Sequence, residues 1–355
     1  MAEGLRVAVG GATGNVGTEM LRILEQRGFP AAEVIPLASA GSAGRRVPFR
    51  GAELAVQDLG GFDFRGTDLL LLSTGAANAR ETAPRAAAAG CVVIDNSSAF
   101  RMDPALPLLV PEVNPAALAG WAARRILPVA NCSTIQLVLA LKPLHDAAGL
   151  KRVVVSTYQS ASGGGRRLMQ RLLSPHDPVT VDMRALLHEA QLATTAGGDP
   201  PLPFNVVPQI DVFLEDGRTR EEWKMEAETR KILGLPDLPV SATCVRVPVL
   251  VGHAEAVVAE LDRPLPEAAA RALLDAAPGI VVVDERRPGG YAMPIAVAGT
   301  DEVFVSRLRE DRAFPHGLAF WVVADNVRKG AALTAVQIAE ALLRRGDAFA
   351  GRGAA

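Results

Sequence analysis

The stretch VAVGGATGNVGTEM, residues 7–20, is the strongest indication of the fold in this sequence. A short apolar run leads directly into Gly11, Gly14 and Gly17, and a helical pattern begins among them. Glycines let the backbone approach a pyrophosphate closely, and a helix N-terminus offers N–H donors at the positive end of a dipole. Between a first strand and a first helix, this spacing predicts a dinucleotide-binding βαβ unit. A turn that serves only strand–helix packing is the less favoured alternative.

The first 130 residues repeat this alternation of strand and helix. Apolar runs at 5–10, 33–39, 68–74 and 91–97 predict buried strands, and stretches such as 16–28 predict helices between them. Such a succession is typical of a parallel, doubly wound sheet. We therefore expect an α/β fold in this half of the chain.

The pattern changes after residue 150. Strand-like runs are separated by longer polar and Pro- or Gly-rich connections, and 328–345 has the period of a helix. This predicts a second, α+β domain with a largely antiparallel or mixed sheet. The runs lie at 152–160, 241–251, 254–262 and 318–325.

The composition excludes several classes of protein. The chain has 355 residues, which predicts about two domains, and its formal net charge of −2 gives no footprint for nucleic acid or an anionic membrane. No apolar run has the length of a membrane span, and the N-terminus lacks the features of a signal peptide. Only three cysteines occur, which argues against a disulfide framework. We expect a cytoplasmic protein without nucleic-acid or membrane partners.

The segment after the second predicted strand, LASAGSAGRRV at 37–47, bears on the choice between NAD and NADP. NAD-binding proteins usually place an acidic residue here for the ribose 2′-hydroxyl. This chain offers Ser39, Ser42, Arg45 and Arg46 and no acid. Hydroxyls and cations suit a 2′-phosphate, so the residues favour NADP. A solvated loop with two surface arginines remains the alternative for Arg45 and Arg46.

A candidate nucleophile lies in NCSTIQ, residues 131–136, where a helix is predicted to begin. Cys132 has polar neighbours, whereas Cys91 and Cys244 lie inside apolar strand-like runs and are expected to be buried structural residues. The helix dipole and free backbone N–H groups favour a thiolate at such a position. The amide of Asn131 can donate to a developing oxyanion beside it.

A nucleophilic thiol needs a proton-transfer partner. His145 lies thirteen residues along the helix that Cys132 begins, which is too far away. His253 follows Gly252 at the end of an apolar run, where catalytic groups on loops are often found. Spacing alone does not select His253 over His316.

Nine motifs together resemble a known family. They span residue 5 to about 345 and are similar, in this order, to bacterial aspartate-semialdehyde dehydrogenase. NCSTIQ and RVPVLVGH are the most specific of them. The motifs are GATGNVGTEM, NSSAFRMD, PEVN, NCSTIQ, TYQSASG, PFNVVPQID, REEWKMEAETRKILG, CVRVPVLVGHAEAV and DNVRKGAALTAVQIAE.

The resemblance implies a role for each catalytic position. Cys132 is implied as the nucleophile and His253 as the general acid/base. Gln159 is implied to position the substrate, and Asn131 to bond phosphate or the acyl intermediate. Arg246, seven residues before His253, is implied to hold the substrate α-carboxylate, for which a planar guanidinium is suited.

Three further residues are implied to bind substrate groups. Glu221 contacts the substrate amino group, while Lys224 and Arg101 hold phosphate. Glu221 and Lys224 stand three residues apart, so on a helix they share one face. From the residues alone, a surface ion pair for Glu221 and Lys224 and a salt-bridged core position for Arg246 remain open.

One geometric condition follows for Arg246 and His253. In a fully extended chain seven residues span about 23 Å and place these side chains on opposite faces. Both residues can meet one small substrate only if the chain bends between them. Pro248 and Gly252 are available for such a bend.

The resemblance also implies NADP(H) as the cofactor and no metal. No Cys/His cluster has metal-ligand spacing. Gly41 stands where relatives often carry an arginine for the 2′-phosphate, so the strength of the preference for NADP over NAD stays open. The implied cofactor-binding residues are Gly11, Thr13, Gly14, Asn15, Val16, Ser39, Ser42, Thr74, Gly75, Ser162, Gly163 and Asn326.

The implied function is the reversible, NADPH-dependent reductive dephosphorylation of L-4-aspartyl phosphate to L-aspartate 4-semialdehyde through a thioester on Cys132. This reaction serves the biosynthesis of lysine, threonine, methionine and isoleucine. The implied partners are this small-molecule substrate and inorganic phosphate, and the implied assembly is a homodimer or homotetramer.

The implied architecture is α/β, with an N-terminal Rossmann-like doubly wound parallel sheet and a C-terminal α+β catalytic and dimerisation domain with a mixed sheet. Residues 1–130 plus 326–355 form the NADP-binding domain, and 131–325 form the other.

One alternative function is that of another acyl-phosphate or CoA-thioester reductase, such as N-acetyl-glutamyl-phosphate reductase, against which RVPVLVGH and EEWK argue. The other is a non-catalytic paralogue, which should have lost Cys132 or His253. The SCTTN-type signature of glyceraldehyde-phosphate dehydrogenase is absent.

Overall fold

A computed structural model describes residues 4–173 and 200–349. The first half of the chain contributes eight strands to this part of the structure: β1 (Leu5–Gly10), β2 (Ala31–Ala38), β3 (Arg46–Phe49), β4 (Ala52–Ala55), β5 (Gln57–Asp58), β6 (Leu69–Leu72), β7 (Val92–Asp95) and β8 (Ile126–Pro128). Six of them form a parallel sheet of order β5-β2-β1-β6-β7-β8, while β3 and β4 form a separate hairpin.

The second half forms another six-stranded sheet. Its strands are β9 (Leu150–Gln159), β10 (Val240–Arg246), β11 (His253–Leu261), β12 (Ile280–Val282), β13 (Val303–Glu310) and β14 (Gly317–Ala324). The order is β10-β9-β11-β14-β13-β12, with parallel pairs at both edges and antiparallel pairs between them. This confirms the predicted mixed sheet.

The helices cover these sheets. Within the described residues they are α1 (Asn15–Gln26), α2 (Ala76–Ala88), α3 (Cys132–Ala148), α4 (Arg166–Leu173), α5 (Arg220–Leu233), α6 (Glu267–Asp275), α7 (Pro294–Val297) and α8 (Leu333–Arg345). Val7 and Val9 of β1 share an apolar cluster with α1, while Ala8 shares one with α2 on the opposite face. Helices therefore lie on both faces of the parallel sheet, which confirms the predicted doubly wound arrangement.

The end of the chain returns to the first sheet. A π-helical turn, Arg328–Ala332, precedes α8, and α8 packs against α1 and β7. The Arg328 guanidinium donates to Glu19 at 2.6 Å and to Gln26 at 2.9 Å, both on α1. By contrast, α3 packs against β9, β11, β13 and β14 of the mixed sheet. The part of the chain that the structure describes contains no helix long and apolar enough to cross a bilayer.

Two predicted elements have different bounds in the structure. The strand expected at 241–251 ends at Arg246, because Val249 and Leu250 use their carbonyls to accept from Ala161 and Ser162 instead of continuing the ladder. Pro248 also lacks the N–H that a ladder requires. The helix expected at 328–345 begins as the π-helical turn. The hairpin and strands β8, β12 and β13 were not predicted, since they are short or strongly charged.

Candidate functional site

A cavity of about 410 Å³ is lined by residues from both halves of the chain. Seven of the eight predicted catalytic and substrate-binding residues stand on its wall: Arg101, Asn131, Cys132, Gln159, Glu221, Lys224 and Arg246. Four predicted cofactor residues also line it: Val16, Ser162, Gly163 and Asn326. A larger cleft of about 910 Å³ along β13 contains none of the predicted residues. The cavity is therefore the candidate active site.

Cys132 is the first residue of α3, as predicted. The amide oxygen of Asn131 caps the helix, accepting from the backbone N–H of Ser133 at 2.9 Å and of Thr134 at 3.2 Å. The π-helical turn packs on the cysteine, because a Cβ on Gly330 would lie 2.8 Å from Cys132 Cβ. The position of the sulfur is thus fixed from two sides.

The electrostatic environment of Cys132 differs from the expectation that the helix start favours a thiolate. Burial, and to a smaller extent the carboxylate of Glu221, raises the pKa of this thiol to about 12. The guanidinium groups of Arg101 and Arg246 and the Ser133 N–H act in the opposite direction but are outweighed. Cys132 is therefore a protonated thiol at neutral pH, with part of its surface open to the cavity.

Glu221 stands at the centre of a hydrogen-bond network. Its Oε1 accepts from Asn131 Nδ2 at 2.8 Å and from Gln159 Nε2 at 3.1 Å, and its Oε2 accepts from Lys224 Nζ at 3.1 Å. Burial alone would raise its pKa, but Lys224 and the amide donors outweigh burial and lower it. Lys224 also donates to Asp211 at 2.8 Å. Glu221 is therefore an anion facing the cavity, and the alternative of a surface ion pair is excluded.

Arg101 is held by a carboxylate that the sequence analysis missed. Glu228 accepts from Arg101 Nη1 at 3.1 Å and from the backbone N–H of Asn131 at 2.6 Å, so it ties Arg101 to the start of α3. The Nε of Arg101 is buried without a hydrogen-bond partner. Glu221, Lys224 and Glu228 follow an i, i+3, i+7 spacing, and this one-sided charge pattern is the signal that could have revealed Glu228.

Arg246 makes no salt bridge with any described residue, in contrast to Arg101 and Lys224. Its Nη1 donates to the carbonyl of Ser160 at 2.7 Å, and its side chain lines the cavity. Burial lowers its pKa, and only part of that effect is offset by Glu221. A half-buried guanidinium without a carboxylate can accept a planar anion. Within residues 4–173 and 200–349, Arg246 therefore does not occupy the salt-bridged core position that the sequence left open.

His253 is completely buried and lies behind Gly163 on the cavity wall. The backbone N–H of Ser160 donates to its Nδ1 at 3.1 Å, and its Nε2 has no partner. A Cβ on Gly163 would lie 2.9 Å from this Nε2 and 3.0 Å from Arg246 Nη1. The absence of a side chain at Gly163 therefore leaves space beside both groups. Burial lowers the pKa of His253 well below its usual value, and Arg246 lowers it further.

The chain bends between Arg246 and His253, as the site requires. Arg246 ends β10 beside Gln159, and His253 begins β11 on the other side of β9. Gly252 has a φ of +96°, where a Cβ would lie 2.9 Å from the Pro294 side chain. His253 thus opens a strand instead of following one, which corrects its predicted position.

The other histidine candidates lie elsewhere. His316 is exposed and precedes Gly317, which pairs with Glu260, whereas His253 pairs with Ala324 at the other end of β14. His145 lies in the last turn of α3. Cys91 and Cys244 are buried, as expected.

The glycine-rich segment forms a backbone cradle where β1 meets α1. Gly11 has a φ of +80°, and a Cβ there would lie 2.1 Å from the Ser73 carbonyl oxygen. A Cβ on Gly17 would lie 2.2 Å from the Gly11 carbonyl oxygen. Gly14 and Gly75 are the N-caps of α1 and α2, and neither helix has a side-chain cap. Two helix N-termini with free N–H groups thus stand at neighbouring strand ends, which suits a pyrophosphate.

The remaining predicted cofactor residues surround this cradle. Thr13 lies in the turn before α1, and Asn15 connects α1 to α4 by bonds with Arg166 at 3.1 Å and Met169 at 3.3 Å. Thr74 has a buried Oγ1 without a partner. Ser39 and Ser42 bracket a short 3₁₀ turn after β2.

The loop after β2 is solvent-exposed. Arg45 and Arg46 are exposed, and Arg46 donates to the Glu53 carbonyl at 3.2 Å within the hairpin. A Cβ on Gly41 would meet nothing within 4 Å. The described residues contain no group of three or more potential metal ligands.

Both halves of the chain match family models of known proteins. The family model for the semialdehyde dehydrogenase NAD binding domain matches residues 6–121, and the model for the semialdehyde dehydrogenase dimerisation domain matches residues 141–329. The fold and the cysteine-containing cavity are thus those of a nicotinamide-dependent semialdehyde dehydrogenase.

Individual relatives narrow this class. The aspartate-semialdehyde dehydrogenase of Aquifex aeolicus is 47% identical over 344 residues, covering 97% of this chain and 99% of the relative. The Legionella pneumophila protein of the same name is 47% identical over 353 residues and covers 97% of each chain. The solved structure of aspartate semialdehyde dehydrogenase II from Vibrio cholerae has a TM-score of 0.87 at 42% identity, covering 96% of this chain and 99% of that one. The chain belongs to the aspartate-semialdehyde dehydrogenase family.

Proposed function

We propose that the chain interconverts L-4-aspartyl phosphate and L-aspartate 4-semialdehyde by NADPH-dependent reductive dephosphorylation, for biosynthesis of lysine, threonine, methionine and isoleucine. One observation carries this proposal: Arg246, a guanidinium without a carboxylate partner among the described residues, shares a cavity with the Cys132 thiol and the anionic Glu221. A substrate with an α-carboxylate, an α-ammonium and a reactive acyl carbon complements these three groups. A related Vibrio cholerae enzyme has been solved in complex with ASA.

Cys132 is the proposed nucleophile. Its sulfur attacks the acyl carbon, the bond between that carbon and the phosphate oxygen breaks, and a thioester and phosphate result. The thiol proton passes to His253, the proposed general acid/base. Covalent catalysis of this kind replaces one difficult displacement by two easier steps. The capped start of α3 holds the sulfur in place, and Asn131 retains one amide N–H beyond the one that bonds Glu221.

Arg246 and Glu221 are proposed to orient the substrate. The planar guanidinium binds the α-carboxylate through two parallel hydrogen bonds. Glu221 binds the α-ammonium group, while Gln159 is kept in position by its bond to Glu221. This fixes the acyl carbon beside Cys132, and a fixed geometry of this kind accounts for a large part of enzymatic rate enhancement.

Arg101 and Lys224 are proposed to hold the phosphate group. Both line the cavity with Cys132, and each is already positioned by a carboxylate, Glu228 or Asp211. The Arg101 Nε that lacks a partner is available to a phosphate oxygen. His253 is proposed as the general acid/base that protonates the oxygen of the acyl group after hydride transfer, with its unpartnered Nε2 as the atom that transfers the proton.

The glycine cradle fits a dinucleotide. The two helix N-termini at Gly14 and Gly75 would hold the pyrophosphate. Thr74, whose hydroxyl has no partner, directly precedes Gly75. When bound, NADPH supplies the hydride for reduction of the thioester. We propose NADP over NAD because the exposed Ser39 and the half-buried Ser42 stand in a loop that contains no acidic residue.

The proposed domain division follows the sheets. Residues 1–130 plus 326–355 form the NADP-binding domain and 131–325 the catalytic and dimerisation domain; residues 1–3, 174–199 and 350–355 lie outside the described residues. The packing of α8 against α1 supports this division.

The matched dimerisation domain supports a homodimer, and a homotetramer would consist of two such dimers. The three free cysteines support a cytoplasmic enzyme.

A spectrophotometric assay with L-aspartate 4-semialdehyde tests the proposal. We expect NADP reduction that depends on added phosphate, since phosphate is needed to cleave the thioester. Acetaldehyde and N-acetyl-glutamate semialdehyde should give little turnover, because they lack the free ammonium or carboxylate that Glu221 and Arg246 bind. Equal turnover with the N-acetylated aldehyde would contradict the proposed substrate.

A further inference from the structure

The π-helical turn Arg328–Ala332 packs against the first residue of α3 at Gly330. A Cβ on Gly330 would lie 2.8 Å from Cys132 Cβ and 3.2 Å from Cys132 Cα. Carbon atoms in favourable contact are about 3.5–4.0 Å apart, so this space is too small for a side chain. Gly330 does not adopt the left-handed conformation that itself favours glycine. The cysteine, and not the backbone, therefore requires a glycine here.

Hydrogen bonds within the segment fix the backbone of this turn. The Gly330 N–H donates to the Asp325 carbonyl at 3.0 Å, and the Ala332 N–H donates to the Val327 carbonyl at 3.0 Å. The Asp325 carboxylate accepts from the N–H groups of Val327 and Arg328, at 2.9 Å each. Turns of this kind are rare and are frequently found at functional sites. The side chains that hold the turn in place are therefore of interest.

Lys329 anchors the middle of the turn in the protein interior. Its side chain is completely buried, and Nζ donates to Glu112 Oε1 at 2.6 Å and to Gln337 Oε1 at 2.8 Å. Gln337 Nε2 donates to the same Glu112 oxygen at 2.8 Å. Lys329, Glu112 and Gln337 thus form a closed hydrogen-bonded group, the Lys329 triad. It holds the residue that directly precedes Gly330.

The Lys329 triad is poorly suited to stabilising the fold. Burial lowers the pKa of Lys329, although Glu112 acts in the opposite direction. The Oε2 atom of Glu112 is buried without a hydrogen-bond partner in the part of the chain that the structure describes. Apolar residues of similar volume are often as stabilising as a buried ion pair, or more so. What the triad supplies instead is a fixed position for the turn.

We propose that Lys329 and Glu112 are positioning residues for the Cys132 sulfur, and that they act through Gly330. The inference rests on the role proposed above for Cys132 and deepens it. The Asn131 cap fixes the start of α3 on one side, and the anchored turn fixes it on the other. Because a displacement of about 1 Å at a reacting group can cost 10²-fold in rate, a rigid turn beside the sulfur affects catalysis directly.

Gly330→Ala tests the contact between the turn and the cysteine. The added Cβ must displace either Cys132 or the turn, so kcat should fall by roughly 10²-fold while KM changes much less. Gly120→Ala is the matched control, because its Cβ would meet nothing within 4 Å, and it should keep wild-type kcat. Wild-type kcat in Gly330→Ala would show that Gly330 does not position the sulfur.

The double variant Lys329→Met with Glu112→Leu tests the ion pair. It removes both charges and keeps the buried volume filled, so its resistance to denaturant should match wild type. Because the turn loses its anchor, kcat should fall about 10-fold with little change in KM. Lys142→Met with Asp146→Leu is the matched control. It removes an exposed ion pair of the same helix that Cys132 begins, and it should keep wild-type kcat.

Alkylation of Cys132 by iodoacetamide monitors the sulfur without any substrate. The modified peptide is quantified by mass spectrometry over time. The Lys329→Met, Glu112→Leu variant should react several-fold faster than wild type, since a turn without its anchor covers Cys132 less tightly. The control pair should react at the wild-type rate. Turnover by Cys132→Ala would refute the proposed nucleophile, whereas the alkylation rate tests the position of the sulfur independently of the reaction.

Two results would overturn the inference. One is a wild-type kcat and alkylation rate in the double variant, which would show that the Lys329 triad does not position the sulfur. The other is loss of the fold in the double variant together with wild-type kcat in Gln337→Met, which would make the triad a stability feature alone. Gln337→Met removes one acceptor from Lys329 and no charge, so we expect it to fold and to lose about 3-fold in kcat.

Discussion

The dinucleotide cradle and the catalytic cavity are built from different parts of the chain. The cradle is made of backbone: glycines approach carbonyl groups closely, and two helices begin without side-chain caps. The cavity is made of charged and polar side chains from several distant segments. The backbone site should fail when a Cβ is added at Gly11 or Gly17, whereas a side-chain site should fail when one functional group is removed.

Within the cavity, a second comparison separates the charged side chains that are already paired from those that are not. Glu221, Lys224, Arg101 and Glu228 are paired with one another in advance. Arg246 has no carboxylate partner and the Nε2 of His253 has no hydrogen-bond partner among the described residues, and both groups lie within 3.0 Å of the position that a Cβ on Gly163 would take. The paired side chains hold one another in place on the cavity wall. The substrate must supply partners for the groups that have none.

The largest expected effect is at Cys132. Cys132→Ala should reduce turnover to background, a loss of roughly 10⁴-fold or more, as for removal of a covalent nucleophile. Cys132→Ser should fold and retain little activity. Cys91→Ala is the matched control, since Cys91 is buried away from the cavity, and should keep its turnover. Normal steady-state rates in Cys132→Ala would show that Cys132 is not the nucleophile.

A smaller effect is expected for the unpaired guanidinium. Arg246→Leu should raise KM and lower kcat/KM by roughly 10²-fold, because the substrate carboxylate loses a charged bidentate partner. Arg246→Lys should restore only part of this loss, since an ammonium lacks the planar fork. Steady-state kinetics of these variants beside the exposed Arg312→Leu measure the effect. Wild-type kcat/KM in Arg246→Leu would place the carboxylate elsewhere.

The cradle should fail through added bulk. Gly17→Ala places a Cβ 2.2 Å from the Gly11 carbonyl oxygen, so the backbone must move. Overpacking of this kind costs about 1–3 kcal/mol of unfolding free energy, and the shifted turn should raise the KM for NADP by roughly 10-fold. Gly120→Ala is the control, because its Cβ would meet nothing within 4 Å. Denaturation and cofactor titration that match wild type would show that the turn is more adaptable than proposed.

The smallest effect concerns the choice of cofactor. Gly41→Arg adds a cation where the space is open, so it should increase the ratio of kcat/KM for NADP over NAD by a few fold, about the strength of one exposed charge pair. Ser39→Asp should erase or reverse the preference by repelling the 2′-phosphate. A wild-type preference for NAD would contradict the argument from the acid-free loop.

The parts of the site that local sequence determines were predictable. The glycine spacing of residues 11–17 and the polar context of Cys132 reflect contacts close in sequence, and the motifs identified the family. The bend between Arg246 and His253 was correctly expected, although the strand after Arg246 was extended too far. Val249 and Leu250 bond to Ala161 and Ser162, a choice that no local pattern reveals.

The electrostatics of the cavity were not predictable in this way. The thiol pKa of Cys132 depends on burial and on Glu221, whose charge lies 89 positions away in the sequence, since 221 − 132 = 89. Glu228 reaches Arg101 across 127 positions, and Ser160 reaches His253 across 93. Helix-dipole reasoning includes none of these groups. The Ser133 N–H at the helix start lowers the pKa of the thiol, as expected, but burial and Glu221 outweigh this effect.

Mass spectrometry of the acylated enzyme tests whether Cys132 is the residue that carries the acyl group. Wild-type protein is mixed with L-aspartate 4-semialdehyde and NADP without phosphate, then quenched in acid and digested. We expect the peptide containing Cys132 to gain the mass of one aspartyl acyl group, and added phosphate to remove it. Reduction of NADP with an unmodified Cys132 peptide, or an acyl group on another residue, would show that Cys132 is not the covalent nucleophile.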